Sequence, residues 1–170
     1  MAVSTEVTLR NALLAQLRAA SVAQTILGFQ EPEGNIRGYL LENEASERTA
    51  DYLSAVVAGE NIVQAIGIHV VGNDVPYAAK MTSIRVYDIR FRYYREIGVE
   101  GAGEHWILDA ARATRNVLRL MGVDLNGLVS QINSGSKVSI SKQNIQVEND
   151  TGEILIGAMD YEATRTNPDF

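Results

Sequence analysis

The chain has 170 residues, 46% hydrophobic and 21% charged, and a formal net charge of −6 from 15 basic and 21 acidic side chains. That length suits one domain with a real core, the mix is that of a globular chain, and the acidic balance argues against a general nucleic-acid coat. Cysteine is absent, which excludes disulfides, thiolate nucleophiles and cysteine metal sites and allows a reducing compartment.

No run of about 18 apolar residues offers a bilayer-spanning helix. The start, M-A-V-S-T-E-V, shows neither the basic nor the apolar region of a signal peptide. Ser4 or Thr5 caps a predicted helix running to about Ala20. Leu9, Leu13 and Leu17, with Ala12 and Ala20, form its apolar stripe, and Arg10, Asn11 and Arg18 lie off it. A stripe of this kind docks on a sheet. Gly28–Gly38, with one Pro and three Gly, reads as loop. Asn43–Ala58 reads as a second helix capped by Asn43 and stopped by Gly59. The 28–60 block is too short to bury a core alone and is expected to be an insertion or arm.

Ile62–Val71 is a predicted strand, with a helical start near Ile62 as the alternative; it sets Ile62, Ile66, Ile68 and Val70 on one face and His69 on the other, and Gly72-Asn73-Asp74 is expected to break it. The centre of the chain is Thr82–Arg95, a long strand rich in β-branched and aromatic residues. Tyr87, Ile89, Phe91 and Tyr93 share one face, and Asp88, Arg90 and Arg92 the other. Before Tyr87 the apolar residues are Ile84 and Val86, in the opposite phase, which implies either a bulge near Val86–Tyr87 or a strand end covered on both faces.

The strongest helix is Glu104–Met121, with a buried stripe of Ile107, Ala110, Ala111, Thr114, Val117, Leu118 and Met121. Arg112, Arg115 and Arg119 share another face, and Gly122 follows the helix end. Asn126–Ser136 reads as a polar link. Lys137–Glu148 is a strand whose apolar phase switches midway, so a bend or bulge is expected there. The turn Asn149–Gly152 returns the chain as a hairpin into Ile154–Thr164. The tail Arg165–Phe170 lacks periodicity and is expected to be flexible or docked on a neighbour. These elements predict a single α+β domain over 1–170: a mostly antiparallel four-stranded sheet, two main helices on one face, and an inserted helix.

No catalytic constellation emerges. The glycines before the strongest helix have the spacing G-x-x-G-x-G rather than G-x-G-x-x-G, and Glu100 and Glu104 would repel a pyrophosphate. The two histidines, His69 and His105, form no metal-binding pair, and the serines lack a nucleophile-elbow context. We therefore expect no enzyme, no cofactor and no resident metal. Residues 85–119 hold seven arginines against five carboxylates, leaving the rest of the chain at −8. Arg90, Arg92 and Tyr94 form a basic, partly aromatic face. It reads as a protein interface in preference to a nucleic-acid site, with plain solvated surface as the bland alternative. Arg112, Arg115 and Arg119, and Arg165 and Phe170 in the tail, complete the candidate interface residues.

Four segments carry a family resemblance: T-L-R-N-A-L-L-A-Q-L, S-I-R-V-Y-D-I-R-F-R-Y-Y, W-I-L-D-A-A-R-A-T-R-N-V-L and G-E-I-L-I-G-A-M-D-Y-E-A. In element order and texture the chain resembles the tail-terminator (tail-completion, head–tail joining) proteins of long-tailed bacteriophages, over more than half its length. The inserted helix and the long Gly28–Leu41 loop depart from that compact pattern. The resemblance implies a structural virion protein that forms a six-membered ring on the last tail-tube ring, stops tube elongation and joins the tail to the head. The implied partners are further copies of the chain, the tail tube protein and a head-side connector or stopper, with the tail sheath as an optional addition. DNA would only pass through the lumen, and no membrane is involved. The implied location is the neck or top of the tail, and the host cytoplasm during assembly. The family has no catalytic residues to carry over. Another neck or baseplate ring protein, and a small-ligand-binding α+β domain, are the competing readings.

Overall fold

The computed structural model describes residues 5–19, 36–39, 64–76, 83–96, 102–147 and 150–167. The expected helix at 43–58, its stop at Gly59, most of the Gly28–Gly38 loop, the glycines at 98 and 101, and Phe170 lie outside them. The described elements are α1 (Thr5–Ala19), β1 (Ile36–Tyr39), β2 (Gln64–Pro76), β3 (Ser83–Glu96), α2 (Ala102–Met121), β4 (Gln131–Gly135), β5 (Ser139–Val147) and β6 (Asp150–Asn167). The sheet order is β1-β2-β3-β6-β4, with β5 also on β6. The fold is α+β and mostly antiparallel, with β1 alone pairing parallel, to β2.

The sheet centres on β3, which is paired along its whole length to β2 and β6 without a register shift. Its odd residues Tyr87, Ile89, Phe91 and Tyr93 are buried against the helices, beside Ile66, Ile68 and Val70 of β2 and Leu155, Met159 and Ala163 of β6. Helix α1 lies over β1 and β2, and α2 over β3 and β6. Leu9, Leu13 and Leu17 of α1 are buried as expected, joined by Leu14, and every residue of the expected α2 stripe is buried. Small side chains let α2 come close. A Cβ placed on Gly157 of β6 would stand 2.4 Å from Ile107 Cγ2. Tyr93 OH donates to Thr114 Oγ1 (2.8 Å), and Thr114 donates to the Ala110 carbonyl (2.9 Å), so this buried phenol is satisfied on α2. Burial pushes the Tyr93 phenol far above its ordinary range, which keeps it protonated. Gly122 takes a positive φ of 87°, and its N–H bonds back to the Leu118 and Arg119 carbonyls, closing the helix.

Several expectations need correction. The sheet has six strands rather than four. Part of the expected loop, Ile36–Tyr39, is edge strand β1, and part of the expected polar link, Gln131–Gly135, is β4. Strand β4 is mostly exposed, so it shows no alternation and is held by backbone pairing to β6. The Gly72-Asn73-Asp74 break does not occur: β2 continues through it, opposite Tyr87, Val86 and Arg85. Gly72 is a clearance instead, since a Cβ there would stand 2.6 Å from Glu6 Oε1.

No bulge lies near Val86–Tyr87. Ile84 and Val86 are half-buried on the face away from the helices, while Arg85 takes the helix face by pairing with Glu6 of α1 and stacking 5.8 Å from the Tyr87 ring centroid. Nor does β5 bulge; the shift lies in β4, between Ile132 and Ser134. β4 and β5 run one after the other along the same edge of β6, joined at Ser136, whose N–H donates to the Asp160 carbonyl and whose Oγ accepts from the Asp160 N–H, both at 2.8 Å. The hairpin closes with Val147 opposite Asp150, earlier than the expected turn. The tail also starts later, because Arg165, Thr166 and Asn167 still pair with Arg85, Ile84 and Ser83.

Candidate protein interface

The expected interface residues fall into three places. Arg90 and Arg92 project from β3 on the face away from the helices, both half-buried. Alternation along β3 puts them there, opposite to Ile89 and Phe91. Arg92 donates to Asp160 Oδ1 (2.8 Å) on the neighbouring β6 and to its own chain at the Phe91 carbonyl (3.0 Å). Its guanidinium is thus committed within the molecule. Tyr94 shares that face but is fully buried, so it is not the exposed aromatic that was expected. His69 on the same face is also buried. The back of the sheet is therefore covered at Tyr94, near the end of β3, and at His69, which lies opposite Arg90, and a simple wet-face alternation does not reveal this.

Arg165 stands on the helix side of the sheet, directly opposite Arg85. The third group is different. Arg112, Arg115 and Arg119 are all exposed along α2, on the other side of the sheet from Arg90 and Arg92. With Leu108, itself 43% exposed, they recur at i, i+4, i+7 and i+11 and occupy a sector of about 60° of the helix. The stripe is about 16 Å long. Its internal contacts are weak: Arg112 is 3.6 Å from Asp109, and Arg119 donates to Asn116 at 3.4 Å.

Sequence reading missed a group of acids on the back face. Asp88 of β3 and Glu162 of β6 are directly opposed cross-strand neighbours, with Asp160 two residues along. Asp160 has Arg92, but among the described residues neither Asp88 nor Glu162 has an ion pair. Glu162 is held in place nonetheless. Asn133, in the β4 bulge, donates from Nδ2 to Glu162 Oε1 (3.1 Å), while its own Oδ1 accepts from Gln131 Nε2 (3.1 Å) and Thr164 Oγ1 (3.4 Å). Two donors on one oxygen fix the amide's orientation, so its NH2 points to the carboxylate. Only pairing register could have disclosed this group, since Asp88 and Glu162 lie far apart in the chain.

Among the described residues, no group of three or more His, Cys, Asp or Glu could hold a metal ion, and no helix is long and apolar enough to cross a membrane. His69 lies buried in β2, and His105 is exposed near the start of α2. What the arrangement offers chemically is recognition: a row of exposed cations on one side and positioned carboxylates on the other. Comparison with protein-family models and with curated proteins finds no match for this chain.

Proposed function

We propose that the chain is a tail terminator, a structural protein whose copies close into a six-membered ring on a phage tail tube, stop its growth and present a surface to the head-side connector. One observation carries this reading. The four segments on which the resemblance rests fall on α1, β3, α2 and β6, and these four elements, together with β2, share one hydrophobic core. Exposed charge of opposite sign on opposite sides of the sheet supports it, because a ring needs one surface of a subunit to meet a different surface of the next. The same observations support other ring components of a neck or baseplate.

Growth of tubes from the cognate tube protein, followed by negative-stain electron microscopy, tests the choice. Added to growing tubes, a terminator yields short tubes of uniform length with extra density at one end. Tubes that grow as long as without the protein, with bare ends, contradict the proposal.

A further inference from the structure

We propose that the arginine stripe of α2 in one copy docks on the Glu162–Asp88 corner of the next, making the repeating contact of a closed assembly. The inference rests on the ring-forming reading above and adds to it which surfaces meet.

The placement of charge dictates the mode. The stripe lies on the helix side of the sheet and the carboxylates on its back, so they cannot meet within one molecule. A two-fold contact through either patch alone would set like charge on like charge. A head-to-tail contact sets each patch on its complement, and such contacts close into a ring when the rotation from one copy to the next closes. The spacing also fits. Arg112 and Arg115 are separated by about 4.5 Å of helix rise, and Asp88 and Glu162, directly opposed across two strands, by about 5 Å between Cβ atoms.

The corner also asks for a cation. Like charges directly opposed across two strands are unfavourable, and this pair has no ion-pair partner among the described residues. Arg90 and Arg92 share the face, but Arg92 is spent on Asp160, and Arg90 lies opposite that same Asp160 in register. The Asn133 amide, fixed by Gln131 and Thr164, presents Glu162 in one position and leaves Oε2 to accept a guanidinium. The preformed carboxylate lowers the ordering cost of the contact.

Charge reversal tests the pairing. The first variant is Arg112→Glu, Arg115→Glu and Arg119→Glu; the second is Asp88→Lys and Glu162→Lys; the third carries all five changes. Circular dichroism and melting temperature establish that each is folded. If Asp88→Lys, at a half-buried site, disturbs the fold, Glu162→Lys alone replaces the pair. Light scattering then reads assembly at low salt, with cognate tail tubes added where the protein alone is monomeric. Each single-patch variant assembles about tenfold or more weakly, and the full reversal regains assembly, because Glu then faces Lys across every contact. Assembly unchanged by the stripe variant overturns this contact and leaves the ring reading standing. Losses that add in the full reversal, instead of cancelling, overturn it as well. A parent protein that stays monomeric even with tubes overturns both. Binding of a labelled oligonucleotide that the stripe variant loses, with assembly intact, would assign the arginines to phosphate.

Discussion

The two faces of β3 are built by alternate residues of one backbone and do different work. Toward the helices, Tyr87, Ile89, Phe91 and Tyr93 are buried against leucines of α1 and the apolar stripe of α2. Away from them, Asp88, Arg90 and Arg92 are half-buried beside Asp160 and Glu162. Stability is concentrated on the first face, where apolar area leaves water and the Tyr93 hydroxyl bonds to Thr114. The second carries charge that contributes little to folding, and is therefore free to be used for recognition.

The division is sharpest in the middle of the strand. At one end Arg85 enters the helix face because Glu6 receives it, and at the other Tyr94 is buried on the back.

The largest break in this comparison should come from Ile89→Asp. A carboxylate would enter a site where Ile89 is 1% exposed, at a cost of several kcal/mol, and a melting curve like that of the parent would show that the facing is wrong. Gly157→Ala comes next. The new methyl meets Ile107 at 2.4 Å and the Tyr93 ring at 3.3 Å, so α2 must lift or Ile107 must leave its rotamer, for about 1–3 kcal/mol in denaturant midpoint.

Thr114→Val should follow, at about 1–3 kcal/mol, because it leaves the buried Tyr93 hydroxyl without its acceptor. Tyr93→Phe should cost less, about 1 kcal/mol, since Thr114 keeps its bond to Ala110. Equal losses for these two would contradict the proposed donor order. On the back face, Arg92→Ala removes a half-exposed pair and should shift stability by about 0.2–1 kcal/mol. A loss as large as that of Ile89→Asp would erase the distinction between the faces.

The elements that sequence disclosed are those where burial imposes a period. The odd residues of β3 and the seven-residue stripe of α2 lie where periodicity puts them, because each faces a single apolar layer. Strand β4 was hidden because Gln131, Asn133, Ser134 and Gly135 are exposed and their place is set by backbone bonds to β6. The continuation of β2 through Gly72 was hidden because glycine there serves the approach of Glu6, a long-range requirement, and not a turn. The candidate interface was legible only in part. The α2 arginines follow from helical spacing alone, whereas the Asp88–Glu162 opposition and the Asn133 network depend on strand register. Charge counted along residues 85–119 placed Arg92 and Arg112 together, but the fold sends them to opposite sides of a sheet.

The most direct test of the central claim is the mass of the purified protein by light scattering, alone and with cognate tail tubes, at low salt and high concentration. A six-membered ring gives a discrete species of about six times the 18.6 kDa chain, alone or captured at the tube end, that weakens as salt rises. A protein that remains at the mass of a single chain under all of these conditions would contradict it.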